Sequence, residues 1–186
     1  MRTFVSIEIP DDIKAKIEKL VKKLKLRLTP IRWVEKKNLH VTLKFIGWVK
    51  DEKVPALIDH VKQCAKGFKS FDLAFSGMGV FPTPKSPRVV WVGTTTGADN
   101  VKQIADCIED EVAKEGIREE EREFSPHLTV GRIKEKLDVT ALNEFIEMNK
   151  DVDLGSFRVD HVSMMKSTLR RSGPIYEEIA LIELKP

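Results

Sequence analysis

The chain has 186 residues, 41% hydrophobic and 33% charged, with a formal net charge of +3. That is enough apolar material for one domain, or for two small lobes sharing a core, and it excludes a disordered chain. No apolar run approaches the ~18 residues of a membrane span, and the mildly basic balance admits an anionic partner such as RNA without requiring one.

In chain order, "RTFVSIEI" from Arg2 reads as a strand. "DDIKAKIEKLVKKLK" follows as a helix, with Ile13, Ile17, Leu20 and Leu24 at helical spacing and Asp11 or Asp12 as its cap. The lysines at 14, 16, 19, 22, 23 and 25 are expected to decorate its solvated face. "NLHVTLKFIGWV" reads as a strand, "KVPALIDHVKQCAKG" as a helix stopping at Gly67, and "FDLAFSGMGVF" as a third strand before the Pro-rich loop "PTPKSP". The order then begins again. "RVVWVGTTT" is a strand, "DNVKQIADCIEDEVAKEG" a helix, "PHLTVGRI" a strand and "VTALNEFIEMNK" a short helix. "SFRVDHVSMM" and "IYEEIALIEL" close the chain as strands.

Glu8 and Pro10 interrupt the apolar start, so no signal peptide is expected and the protein is placed in the cytoplasm. Cys64 and Cys107 lie apart in helix-like segments and read as free, buried thiols. The Lys- and Glu-rich composition is compatible with a heat-adapted source.

Spacing supports a duplication. Arg2 to His40 is 38 positions and Arg88 to His127 is 39; His40 to Phe71 is 31 and His127 to Phe157 is 30. The repeat halves are about 1–86 and 87–186 of a single two-lobed domain. The expected fold is α+β: a bilobal, pseudo-twofold duplication with two mainly antiparallel sheets, helices on their outer faces and a central cleft.

Each half carries the triplet His-x-Thr, at His40–Thr42 and His127–Thr129. Side chains alternate along a strand, so each His–Thr pair shares one face and the apolar neighbours share the other. The two residues stand ~6.5–7 Å apart, close enough to lean onto one tetrahedral anion. Facing strands would supply a base and an acid on opposite sides of a phosphorus, as in-line displacement needs, with the threonine hydroxyls at its free oxygens. Histidine suits both proton roles because its unperturbed pKa of ~6.5 is near working pH. One such triplet is commonplace, but two of four histidines carrying it at equivalent repeat positions is specific. Neither has a carboxylate or cysteine at ligand spacing, which argues against a metal site. The alikeness of the halves leaves open which histidine is acid and which is base.

Together "RTFVSIEIP", "HVTLKFIG", "RVVWVG", "HLTVGR" and "STLRRSGPIYE" make the chain resemble the two-histidine phosphoesterases, in particular the RNA 2′,3′-cyclic phosphodiesterase branch, historically called 2′-5′ RNA ligase. The resemblance covers nearly the whole chain. It implies hydrolysis of a 2′,3′-cyclic phosphate at an RNA 3′ end, tRNA fragments among the substrates, to a 2′-phosphate. It implies a reaction without metal and a reversible, weak 2′-5′ joining of RNA ends; no cofactor is expected, and the protein is expected to be a monomer. It makes His40 the proton donor to the leaving 3′ oxygen and His127 the proton acceptor that activates water. Two alternatives stand beside it: a nonhydrolytic RNA-end or nucleotide-binding module, and a phosphodiesterase for another cyclic phosphate.

Further substrate contacts are expected from Arg132, Lys44, Trp33, Tyr176 and Arg170. Arg132 stands where the family often has a phosphate-binding arginine. Strict alternation puts it on the wrong face, unless a bulge near Gly131 re-aims it. Lys44 shares the face of His40. Trp33 and Tyr176 are candidates to stack on a base, whereas Phe45 reads as core. Arg170 and Arg171 sit in a basic turn that could hold an RNA backbone. His60 and His161 lack the threonine and stay outside the site.

Overall fold

The computed structural model describes residues 1–26, 28, 30–135, 137–171 and 173–186. Among them nine strands and four helices follow in chain order: β1 (Arg2–Glu8), α1 (Asp11–Lys25), β2 (Ile31–Trp33), β3 (His40–Trp48), α2 (Val54–Ala65), β4 (Phe71–Thr83), β5 (Ser86–Thr94), α3 (Ala98–Ala113), β6 (His127–Ile133), α4 (Thr140–Met148), β7 (Asp153–Val159), β8 (His161–Arg170) and β9 (Gly173–Glu183). The strands form two sheets, ordered β3-β1-β8-β9 and β2-β6-β5-β4-β7, and every strand pair within them is antiparallel.

The sheets interleave the sequence halves. Each His-x-Thr strand pairs with the first strand of its own half, β3 with β1 and β6 with β5. That first strand then pairs with a strand of the other half, β1 with β8 and β5 with β4. Helices cross over too: α3 packs on β3 of the first sheet, and α1 packs on β7 of the second. The lobes are therefore not the two sequence halves, and one apolar core runs between them. Among the described residues no helix is long and apolar enough to cross a membrane.

Several local expectations need correcting. The "PTPKSP" segment is not a separate loop, because β4 and β5 continue through it as a hairpin, with Pro82 opposite Pro87 and Thr83 opposite Ser86. "SFRVDHVSMM" is two strands in different sheets, breaking at Asp160. The three-residue β2 is too short for periodicity to reveal. Pro10, not an aspartate, stands at the N-cap of α1, with Asp11 and Asp12 in the first turn, where their charge suits the helix dipole. Lys14 is buried rather than solvated and lies 3.8 Å from Glu8. Cys64 and Cys107 are not free: α2 and α3 lie side by side, their cysteine Cα atoms 5.9 Å apart, and the two form a disulfide. That separation is within the range a disulfide spans. No sequence pattern reveals it, because the 43-residue separation says nothing of which helices pack together.

Candidate active site

His40 opens β3 and His127 opens β6. Each ring is tethered in the same way. Nδ1 of His40 lies 2.8 Å from the Asn38 carbonyl oxygen, and Nδ1 of His127 lies 2.7 Å from that of Ser125. A carbonyl can only accept, so Nδ1–H donates and Nε2 is the nitrogen left for chemistry. Both histidines, with Thr42 and Thr129, line a single cleft of about 610 Å³ between the sheets.

The walls of the two rings differ. His40 packs against Phe4 at 4.9 Å and edge-on to Tyr176 at 5.2 Å between ring centroids. His127 meets Phe81 edge-on at 5.1 Å. Burial among these groups lowers the His40 pKa to about 4, against the opposing pull of the Asn38 carbonyl and with help from the positive charges of Lys14 and Arg132. His127 is also lowered, by burial first; the Ser125 carbonyl opposes the shift and Arg132 adds to it. Burial raises Tyr176 above the ordinary phenol value, while Arg132 and Arg2 oppose the rise. The Arg132 charge thus acts on His40, His127 and Tyr176 alike, and Arg132 lines the same cleft as both triplets.

Arg132 gets there through a bulge. Trp91 pairs with Thr129 but Val90 pairs with Gly131, so Val130 is an extra residue and the alternation of faces flips after it. The same device occurs in β3. Ser6 pairs with Thr42 but Val5 pairs with Lys44, which leaves Leu43 extra. In each strand the extra residue is the third after the histidine. The flip brings the fifth residue, Phe45 or Arg132, onto the cleft, and turns the fourth, Lys44 or Gly131, toward the core.

This corrects two expectations. Lys44 does not line the cleft; its Nζ is buried, 2.7 Å from Glu109, and donates to the Arg118 carbonyl at 2.9 Å. Phe45 is not core. It lines the cleft at 41% exposure, with the Arg2 guanidinium 4.7 Å from its ring centroid. At Gly131 the inward slot is filled by neighbours: a Cβ there would stand 2.8 Å from Ile31 and 3.1 Å from the Trp33 ring. Trp33 therefore borders the cleft, but its indole is spent on packing over Gly131, on the face shared with Ile31. Tyr176 lines the cleft as expected, whereas Arg170, exposed at the end of β8, is not among the lining residues.

Sequence reasoning missed Phe4, Phe81 and Asn38. Asn38 is buried, and its amide donates to the Pro174 carbonyl at 3.0 Å, which ties the approach to His40 to the strand that carries Tyr176. Nothing local marks these residues, since their partners lie in other strands. Among the described residues, no three His, Cys, Asp or Glu side chains converge as a metal site.

The model of a family described as LigT-like phosphoesterase matches the chain twice, over residues 7–91 and 92–176. The chain belongs to that family. The double match restates the duplication, and each copy holds one His-x-Thr triplet of the LigT-like cleft. A Methanocaldococcus jannaschii relative named RNA 2′,3′-cyclic phosphodiesterase is 37% identical, over 96% of this chain and 98% of its own. An Aeropyrum pernix relative of the same name is 39% identical, over 81% of this chain and 84% of its own. Among solved structures, E. coli LigT complexed with 3′-AMP superposes with a TM-score of 0.77 at 26% identity, covering 100% of this chain and 98% of LigT.

Proposed function

We propose that the protein hydrolyses 2′,3′-cyclic phosphates at RNA 3′ ends to 2′-phosphates by paired-histidine acid–base catalysis. The observation that carries this reading is that two tethered imidazoles, two threonines and a re-aimed arginine line one cleft. The names and extent of the relatives support the substrate class.

The chemistry follows from the groups present. A water attacks phosphorus in line with the 3′ oxygen; His127 Nε2 takes its proton, and His40 delivers a proton to the departing 3′ oxygen. The phosphate stays on the 2′ oxygen. Thr42 and Thr129 donate to the equatorial oxygens, and Arg132 balances their growing charge. An RNA 5′-hydroxyl in place of water yields a 2′-5′ linkage by the same path. Burial holds His40 mostly neutral in the free protein, so its acid role draws on the bound phosphodiester, whose negative charge favours the imidazolium.

The test is turnover of an oligonucleotide with a 2′,3′-cyclic end. The native protein is expected to form only the 2′-phosphate, at a rate unchanged by EDTA, and His40→Ala and His127→Ala are expected to lose it while staying folded. Binding without turnover would leave a nonhydrolytic RNA-end module. Loss in EDTA restored by a divalent ion would make it a metalloenzyme.

A further inference from the structure

The second sheet has one strand without a counterpart. The first sheet ends at its His-x-Thr strand, β3, whereas beyond β6 lies β2. It pairs Ile31 with Ile133, Arg32 with Arg132 and Trp33 with Gly131. Ile31 is buried and Trp33 packs over Gly131 at the border of the cleft, while Arg32 lines the cleft together with Arg132. Lys134, two residues beyond Arg132, also lines the cleft.

Two arginines directly opposite each other on neighbouring strands repel. Among the described residues neither Arg32, Arg132 nor Lys134 forms an ion pair with a carboxylate within 4.0 Å. The acidic residue lining the cleft, Glu35, is paired with Lys37. Arg2 is engaged over Phe45. The scissile cyclic phosphodiester carries one negative charge, which Arg132 answers. Arg32 and Lys134 are thus cations in excess of the reacting group, held against repulsion on one face.

They flank Arg132 on two sides, Arg32 across the ladder on β2 and Lys134 two residues further along the chain past the end of β6. β2 extends the cleft floor by one strand spacing, about 4.8 Å. The Arg32 guanidinium reaches across the cleft mouth, to 3.8 Å from where a Cβ on Gly173 of the first sheet would stand. Both line the same cleft as the triplets, so a chain leaving the site over the β2 edge meets their charge.

Resting on the cyclic phosphodiesterase reading, we propose that Arg32 and Lys134 form a second phosphate station. It holds the internucleotide phosphodiester on the 5′ side of the terminal nucleotide. The enzyme then selects RNA ends over cyclic mononucleotides, because a mononucleotide leaves the station empty. Shape and charge supply the selection without base readout.

The test compares kcat/KM for a 2′,3′-cyclic mononucleotide, a trinucleotide with the same end, and that trinucleotide with a neutral methylphosphonate at its last linkage. The native protein is expected to prefer the natural trinucleotide over the other two. In Arg32→Ala/Lys134→Ala that preference falls by about tenfold or more, as removing contacts to a charged group does. The variant's Tm is unchanged or higher, since one of two facing like charges is gone. The salt dependence of log kcat/KM on the trinucleotide weakens by a slope of about 0.7, as for the loss of one phosphate contact on a single strand. A variant that keeps the preference, or a native protein indifferent to the methylphosphonate, overturns the station. If the native protein turns over none of the three, the catalytic reading fails instead. Fluorescence anisotropy with a 3′-phosphorylated trinucleotide then decides the station by itself: equal Kd values for native and variant protein overturn it.

Discussion

The two His-x-Thr strands run alike for four residues and then part. Both tether Nδ1 to the carbonyl two residues upstream, and both bulge at the third residue after the histidine. Beyond the bulge, β3 presents Phe45 to the cleft and β6 presents Arg132. Behind it, β3 buries a lysine on Glu109, and β6 leaves a glycine that Trp33 covers. Duplication thus preserved the backbone device that aims the fifth residue, and the halves diverged in what is aimed. One side of the cleft is aromatic, suited to a base or ribose; the other is cationic, suited to phosphate.

Removing either histidine is expected to have the largest effect, about 10²–10⁴-fold in kcat. Near-native turnover in one variant would break the symmetry of the comparison and assign the chemistry to a single strand. Next come the fifth residues. Arg132→Ala is expected to lower kcat by about 10²–10³-fold, as loss of one preorganised charge-stabilising donor does. Phe45→Ala should act mainly on KM, by less than about tenfold. Equal effects of the two on kcat would show that the strands have not specialised.

The lobes can be compared by stability. The first lobe's helices, α2 and α3, are stapled by Cys64–Cys107, whereas α1 and α4 carry no cysteine. Closing a loop of 43 residues corresponds to about 4 kcal/mol on the chain-entropy account. Denaturant unfolding of Cys64→Ser/Cys107→Ser is expected to show a loss of that order. Hydrogen exchange should rise first in α2 and α3; uniform loosening of both lobes would mean the staple serves the whole domain.

The smallest effects are on pH. Both histidines are depressed from ~6.5, His40 to about 4, so the kcat/KM profile is expected to be a bell with its maximum below pH 6.5. A maximum above it would mean the rings are less desolvated than the fold implies. For stability, the folded protein binds fewer protons at His40 than the unfolded chain does between about pH 4 and 6.5. Stability therefore falls as pH drops through that window. His40→Gln should flatten this slope more than His127→Gln, since His40 has the deeper depression. The reverse order, in urea titrations across the window, would exchange the environments assigned to the two rings.

Much of this was legible before any coordinates. Helical spacing placed the helices, alternation placed the apolar backs of β3 and β6, and the spacing of the triplets exposed the duplication. The bulge near Gly131 was legible as a possibility, because glycine in a strand often marks one. Its twin at Leu43 was not: no glycine marks it, and strict alternation therefore put Lys44 on the cleft and Phe45 in the core. The hydrophobic period survives one extra residue, but every side chain beyond it changes face.

By itself, then, the sequence determined the helices and most of the strands, the repeat and the four chemical groups of the triplets, because these are properties of neighbours along the chain. Only the tertiary structure decided which residues beyond the bulges face the cleft, that β2 joins β6 and sets Arg32 against Arg132, and that Cys64 meets Cys107. Each of those is a pairing between distant segments, fixed by how strands register and helices pack, and local periodicity carries no record of it.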